Sequence, residues 1–211
     1  MKGIKFNSQH TSDWGLILTH YAANSPQIKK STVEIAGRDG VLDLTDYFGG
    51  VKYENRQLDC MFTLPNVPAQ EFVNKLSIIQ DKLHGQQVRV EPDDDPNYYF
   101  EGRAEVAGEL KKATAEIIIT VDAKPYKLKK AATIANQSVS GTRQITLSNS
   151  RRPVVPTITT SAAMTIVFNG ITWSVNAGTF QLPDLILSEG NNVITVTGTG
   201  NIKFEYREGR L

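Results

Sequence analysis

The stretch LDCMFTLPNVPAQEFVNKLSIIQDKLHG, residues 58–85, carries the clearest secondary-structure signals in the chain. Apolar side chains alternate with other residues from Leu58 to Leu64, which predicts a half-buried strand. From Phe72 onward the apolar residues follow helical spacing, after a proline suited to the first helical position and before a glycine suited to the end. The segment therefore predicts a strand followed by an amphipathic helix at about residues 68–84.

Shorter strand patterns surround this helix and indicate a sheet-rich N-terminal half. They lie near residues 4–6, 33–35, 42–44, 88–90 and 99, and at the run 117–119, which is apolar on both faces and so predicts a central strand. A lone helix in such a domain usually covers a sheet face. We expect its apolar stripe to pack on the sheet, with partner binding as the less favoured alternative.

The charge distribution indicates a second domain. After Lys130 only 6 of the 23 basic and 4 of the 22 acidic residues remain, and the sequence becomes rich in Ser, Thr, Asn and Val. Small polar residues at 129–156 suggest a linker that becomes a strand near Ile145. The predicted domains are residues 1–130 and 131–211.

The C-terminal half reads as strand throughout. Its best signal is MTIVFNGITWSV, residues 164–175, where Asn169-Gly170 suits a two-residue type I′ turn and would place six apolar side chains on one face. Further strands are predicted near Phe180, Leu185, Val193 and Phe204, with a turn at 198–200. Closely spaced strands without a helical pattern predict a small antiparallel sandwich.

Composition excludes several classes of function. The 211 residues carry a net charge of +1, so the chain lacks the basic footprint of a nucleic-acid-binding protein. Cys60, the only cysteine, cannot form an intramolecular disulfide, and the three histidines lie far apart, so no zinc-site spacing occurs. The N-terminus does not read as a secretory signal, and no apolar run has the length of a membrane span.

The segment VEIAGRDGVLDLTDYFGG, residues 33–50, raises the question of a phosphate-binding loop. Dinucleotide and Walker loops open a helix whose N-terminal amides hold phosphate. The residues after Gly40 alternate like a strand instead. A hairpin closed at Asp39-Gly40 is the favoured interpretation.

The densest acidic cluster is EPDDDPNYYFEGR, residues 91–103. As a calcium loop it would put Tyr98 in place of the glycine and Ala104 in place of the bidentate glutamate. Three adjacent aspartates also do not provide the two different environments that glycoside hydrolysis needs. Cys60, on the apolar face of its strand, reads as a buried thiol. We predict a solvent-facing loop and assign no catalytic, cofactor-binding or metal-binding residue.

Taken in order, four blocks of the sequence resemble the distal tail protein (Dit) family of long-tailed, non-contractile bacteriophages. They are GRDGVLDLTDYFGGVKYENRQLDCMF (37–62), VEPDDDPNYYFEGRAEV (90–106), ATAEIIITVDAKPYKLK (113–129) and ILSEGNNVITVTGTGNIKFEYREGRL (186–211). The resemblance implies a mainly β (β-rich α+β) chain. Its N-terminal domain would be a tail-tube-like β-sandwich or split barrel with one helix, and its C-terminal domain a galectin-like antiparallel β-sandwich.

The resemblance also implies a structural, non-enzymatic virion protein at the tail tip, assembled in the bacterial host cytoplasm. It would form a hexameric ring, single or as two stacked rings, that joins the tail tube protein to the tail-associated protein and to receptor-binding or baseplate proteins. DNA would pass through the ring without sequence-specific binding, and no membrane is involved. Arg38, Asp39 and Tyr47 become candidate subunit contacts, and Asp93, Asp94 and Asp95 a candidate lumen-facing loop.

The alternative is a carbohydrate-binding module for host cell-wall glycans. It would act through the C-terminal sandwich, with an exposed Trp173 or Tyr206 stacking on sugar. Trp173 falls on the apolar face of the predicted hairpin, so core packing is its default interpretation.

Overall fold

The computed structural model of the chain describes residues 2–47, 49–111 and 114–211. The chain divides into two compact units, Met1–Lys127 and Leu128–Leu211. Among the described residues there is one α-helix, in the first unit, and the remaining regular structure is antiparallel strand apart from one short 3-10 helix. The predicted β-rich α+β fold class is confirmed.

The first unit contains the strands of the N-terminal half and the helix. Its elements are β1 (Ile4–Phe6), β2 (Gln9–His10), a 3-10 helix (Thr11–Trp14), β3 (Ile17–Ala23), β4 (Thr32–Glu34), β5 (Val41–Asp43), β6 (Arg56–Pro65), α1 (Ala69–Leu83), β7 (Gln87–Pro92), β8 (Tyr98–Leu110) and β9 (Thr114–Ala123), with β10 (Lys127–Lys129) at the boundary.

Seven of these strands form one antiparallel sheet in the order β2-β1-β7-β8-β9-β6-β3. The predicted strand at residues 58–64 is β6, and its apolar side chains are buried while those between them are only partly covered. Strand β9 pairs with β6 on one side and β8 on the other, which confirms its predicted central position. The buried faces of β6, β8 and β9 make up much of the first hydrophobic core.

The helix α1 covers this core, as predicted. Phe72, Ile79 and Leu83 are buried, and each buried side chain of this size contributes about 1.5–3 kcal/mol. The helix packs closely against strand β8 at Gly108, where an added Cβ would lie 2.9 Å from a Leu76 methyl carbon. Pro68, predicted as the first helical residue, is instead the N-cap, and the helix begins one residue later at Ala69.

The second unit is built from strands alone among its described residues. They are β11 (Thr133–Asn149), β12 (Thr157–Thr160), β13 (Met164–Phe168), β14 (Ile171–Val175), β15 (Gly178–Gln181), β16 (Gly190–Tyr206) and β17 (Gly209–Arg210).

Strands β11 and β16 pair along their whole length, from Thr133↔Tyr206 to Asn149↔Gly190. The other edge of β16 is shared: its first half pairs with β13 and its second half with β12. Both halves bury side chains in one core, with Ile194 and Val196 from the first and Ile202 and Phe204 from the second.

Three predictions for this unit are wrong. The expected linker before Ile145 is the first half of β11, and the expected turn at 198–200 lies inside β16. Gly198 and Gly200 have φ values of 156° and 148°, and an added Cβ at Gly198 would lie 2.9 Å from the Met164 side chain. The glycines thus permit a close approach within a strand. Leu185 is buried but lies outside any strand.

The hairpin of β13 and β14, residues 164–175, forms in the predicted register, and we call it the inner hairpin. Met164 pairs with Val175, Ile166 with Trp173, and Phe168 with Ile171. Asn169 and Gly170 have φ values of 49° and 80°, as a type I′ turn requires. The three inward-facing apolar residues of β13, Met164, Ile166 and Phe168, are buried, and Trp173 and Val175 pack against the same core.

Candidate functional site

The clearest surface feature is an excursion from the first sheet at residues 24–55, which we call the arm. Strand β3 ends at Ala23 and β6 begins at Arg56, so the sheet ladder is interrupted between them. An isolated bridge between Ile28 and Tyr53 and a 2.9 Å bond from the Lys29 amide to the Lys52 carbonyl bring the two sides of the arm together. The outer part is the two-stranded sheet β4–β5.

The arm hairpin confirms the strand-connection interpretation of residues 33–44. Val33 pairs with Leu42 in β4–β5, and the connection between the strands runs from residue 35 to residue 40. Gly37 and Gly40 adopt φ values of 78° and 75°, which L side chains rarely reach. Backbone geometry therefore accounts for the glycine density.

No described residue of the arm is buried, although several are strongly apolar. The exposed large apolar side chains are Ile28, Val33, Ile35, Val41, Leu42 and Tyr47. Each of the three strand residues Val33, Val41 and Leu42 keeps at least 36% of its surface accessible to water. Contiguous exposed apolar surface rimmed by polar groups is typical of protein–protein contact sites.

The predicted contact residues Arg38, Asp39 and Tyr47 all lie on this arm. Arg38 and Asp39 sit in the β4–β5 connection, and neither forms a side-chain hydrogen bond or ion pair with another described residue. Tyr47 follows β5 and is 77% exposed. The arm thus presents both charge and apolar surface to its surroundings.

The acidic loop Asp93–Asp95 connects β7 to β8, and each carboxylate has a histidine or lysine side chain as its neighbour. Asp93 lies 3.3 Å from His10 Nε2 and accepts a 2.8 Å bond from the Gly3 amide. Asp94 pairs with Lys2, and Asp95 pairs with Lys127 at 2.7 Å. The loop therefore ties β1 and the end of the first unit together.

The described residues offer little for catalysis. Burial raises the pKa of the Cys60 thiol to about 12, so the thiolate is strongly disfavoured at neutral pH. Within residues 2–47, 49–111 and 114–211, no group of three His, Cys, Asp or Glu side chains is placed to hold a metal ion. No described helix is long and apolar enough to cross a membrane.

The proposed sugar-stacking role is wrong for Tyr206. This residue is 5% exposed, and its hydroxyl donates to the Ser148 carbonyl, so its ring face is not available to a ligand. Trp173 is half-buried against the second core. The reason is register: both side chains fall on the inward face of their strands.

Sequence reasoning missed two buried polar groups at the arm's root, one on Arg56 and one on Tyr21. Arg56 continues the buried face of β6 and is 6% exposed, and the buried Tyr21 hydroxyl has no hydrogen-bond partner among the described residues. The sequence did contain a signal for the burial of Arg56, because this residue stands two positions before Leu58 in the alternating run.

This architecture defines a class of protein: a two-unit β-rich chain with one sheet-covering helix and an exposed hairpin arm. Among solved structures, the crystal structure of SPP1 Dit (gp 19.1) resembles it with a TM-score of 0.75 at 14% identity, covering 100% of both chains. That protein is described as a paradigm of the hub adsorption apparatus in phages that infect Gram-positive bacteria. The likeness establishes the fold.

Sequence comparisons add nothing to this likeness. No protein-family model matches the chain, and no curated protein has a significantly similar sequence.

Proposed function

We propose that the chain is a structural hub at the distal end of a phage tail. Six copies form a ring that joins the tail tube protein to the tail-associated protein and to receptor-binding or baseplate proteins. The observation that supports this most is the likeness to SPP1 Dit over the full length of both chains. A likeness that included only one unit would support a shared domain and not a shared role.

The arm is the part of the chain that we assign to subunit contact. Its apolar side chains gain nothing from exposure, and burying one of valine or leucine size stabilises an interface by about 1.5–3 kcal/mol. A heterologous contact repeated around a closed ring would cover the arm of every copy. Arg38, Asp39 and Tyr47 lie where such a contact would form, and a permanent interface needs about 800 Å² per partner.

The acidic loop has a separate place in this proposal. Facing the lumen, Asp93–Asp95 would let DNA pass without the grip that arginines exert on phosphate. Their pairing with Lys2, His10 and Lys127 leaves Asp94 the most exposed carboxylate of the three. Asp94→Lys should therefore slow DNA ejection from assembled particles, and unchanged ejection would remove the lumen placement.

The role places the protein in the virion, at the tail tip, after assembly in the cytoplasm of the host. One ring or two stacked rings are compatible with this proposal, because it assigns the arm to contacts within a ring.

Negative-stain electron microscopy of the purified chain tests the proposal. We expect six-fold rings with a central hole, and light scattering should give six or twelve times the subunit mass. The double variant Val33→Ser, Leu42→Ser should remain folded and monomeric. A wild-type chain that stays monomeric at about 100 μM, a concentration that drives even weak protein pairs to associate, would refute the ring.

A further inference from the structure

Arg56 is a buried cation without an anionic partner among the described residues. It begins β6 and faces the core side of the sheet, in line with Leu58 and Cys60. Its Nε atom is inaccessible to solvent and has no hydrogen-bond acceptor among the described residues. Burial lowers the pKa of its guanidinium, in keeping with the desolvation of the charge.

Small residues and an aromatic ring surround the Arg56 guanidinium. Arg56 pairs with Ala123, which pairs in turn with Gly102, so two small residues lie beside it on the same face. Its Cζ atom then lies 5.4 Å from the centroid of the Phe100 ring, within range of a cation–π interaction. The aromatic face stabilises the charge but accepts no N–H hydrogen bond of ordinary strength.

A second buried polar group, on β3, also lacks a hydrogen-bond partner among the described residues. Tyr21 lies on β3 opposite Cys60, and its buried hydroxyl makes no hydrogen bond to any described residue. The positive charge of Arg56 acts on this phenol, although burial is the larger effect and raises its pKa. Two buried donors, Arg56 Nε on β6 and the Tyr21 hydroxyl on β3, thus have no acceptor among the described residues.

The nearby carboxylates of the same chain are already engaged. Asp95 pairs with Lys127 at 2.7 Å, and Asp94 pairs with Lys2. Both belong to the loop between β7 and β8, the strand that carries Phe100, yet neither forms an ion pair with Arg56. A charge left buried and unpaired is strongly destabilising, so an anionic partner from outside the chain would remove this penalty.

The arm, in contrast, carries carboxylates that are not engaged in ion pairs within the described part of the chain. Glu34, Asp39 and Asp46 are exposed and form no side-chain hydrogen bond or ion pair with any described residue. The other two arm acids are used internally: Asp43 accepts from the Thr45 amide at 2.8 Å, and Glu54 lies 3.7 Å from Lys29.

The arm and the buried guanidinium are also neighbours along the chain. The arm leaves the sheet between Ala23 and Arg56, so its root and the buried guanidinium share one end of the sheet. Rotation about a ring axis keeps every group at a constant axial height. An arm directed at right angles to that axis would meet the next copy at the end of its sheet that holds Arg56.

We infer that Arg56 is the receiving site for an arm carboxylate of a second copy of this chain. The carboxylate of Glu34, Asp39 or Asp46 would accept from the Arg56 guanidinium. The pair would form only on assembly, and the inference rests on the ring proposed above.

Double-mutant cycles test this pairing. Arg56→Met removes the charge and keeps the length of the side chain, and Glu34→Gln, Asp39→Asn and Asp46→Asn each remove one arm charge. Arg103→Met, at an exposed arginine of β8, controls for the loss of one positive charge. Association is measured by sedimentation velocity and native mass spectrometry, and subunit stability by denaturant unfolding below the concentration of assembly.

The expected pattern has three parts. Arg56→Met weakens association by at least about 30-fold, the loss typical for one member of a buried charge pair. The isolated subunit remains as stable as the wild type or becomes more stable, because an unpaired buried charge has gone. One arm variant weakens association similarly, and its combination with Arg56→Met is no weaker than either single change.

Two results would overturn the inference while leaving the ring intact. In one, Arg56→Met rings assemble as tightly as the wild type. In the other, all three arm variants add fully to Arg56→Met, so that no coupling exists. If sulfate stabilised the wild-type subunit but not Arg56→Met, and no coupling were found, Arg56 would hold a free anion instead. A wild-type chain that never assembles would refute the ring and this pairing together.

Discussion

The arm hairpin and the inner hairpin share the same local chemistry but differ in burial. Each joins two short strands containing valine or isoleucine through a connection with a left-handed glycine, Gly40 in one and Gly170 in the other. The inner hairpin buries Ile166 completely, whereas its counterpart Val33 in the arm is 45% exposed. Local signals specify a hairpin, and the rest of the chain decides whether the hairpin has a core to pack on.

The comparison gives a physical meaning to the arm's exposure. An apolar hairpin without a core in its own chain is stabilised by little beyond its backbone hydrogen bonds, and isolated hairpins are marginally stable in water. A neighbouring copy would supply the missing surface. The inner hairpin should therefore respond to mutation through subunit stability, and the arm hairpin through assembly.

The largest expected difference comes from truncating one apolar residue in each hairpin. Ile166→Ala should destabilise the second unit by about 2–4 kcal/mol, because it leaves a cavity in the core. Val33→Ala should change subunit stability by less than about 0.5 kcal/mol, since its side chain contacts mostly water. Denaturant unfolding, followed by Trp173 fluorescence in a Trp14→Phe background, measures the first, and circular dichroism the second.

Equal losses from the two truncations would contradict the comparison. They would mean that the arm is already buried against its own chain in solution. Val33→Ala should instead lower the association constant, measured by light scattering across a dilution series.

These hairpins also show what the sequence could predict. The pairing of Ile166 with Trp173 followed from the Asn-Gly turn, and the helix at 69–83 from its apolar spacing, because both depend on neighbours in the sequence. The exposure of Val33 and the burial of Tyr206 depend on what lies across the sheet face. Alternation alone cannot distinguish a face that meets a core from a face that meets water.

Glycine produced the clearest error for a related reason. Gly198-Thr199-Gly200 has turn composition, but the segment lies in β16, where the missing side chains let Met164 and Ser161 approach. A glycine pair signals either a turn or a close contact, and only the partner strand decides which. The unpaired guanidinium of Arg56 could not be predicted from the sequence. That it lacks a partner becomes apparent only when all the described residues around it are placed.

The next largest expected effect concerns carboxylates, one in the second unit and one in the arm. Burial alone would raise the pKa of Glu208, but bonds from Ser150 (2.6 Å), Thr133 (2.6 Å) and Lys129 (2.9 Å) outweigh it and lower the pKa to about 2. A lowered folded-state pKa stabilises above the ordinary value of 4.5, and the contribution is lost as pH falls towards 2.

Glu208→Gln should therefore flatten the acid limb of the stability curve of the second unit. The expected loss at pH 7 is on the order of 2 kcal/mol, allowing for the part of the side chain that water reaches. Asp43 in the arm also has a lowered pKa, from hydrogen bonds to Thr45, but it is fully exposed. Asp43→Asn is the matched control and should leave the acid limb in place, as measured by denaturant unfolding between pH 2 and 7. An unchanged curve for Glu208→Gln would show that its three donors do not favour the carboxylate.

The smallest expected effect comes from introducing backbone strain at the turn glycine of each hairpin. Gly40 and Gly170 have φ values of 75° and 80°, and an added Cβ would meet nothing within 4 Å at either position. Alanine should cost about 1 kcal/mol locally in both, because the left-handed region is unfavourable for L residues.

Gly170→Ala should transmit that cost to the unfolding of the second unit, since its strands pack on the core. Gly40→Ala should instead appear as faster hydrogen exchange at the Val33 and Leu42 amides with unchanged global stability, because the arm can open without exposing a core. If Gly40→Ala lowered global stability as much as Gly170→Ala, the arm would be part of the cooperative fold of its own subunit and its apolar surface would not need a neighbour.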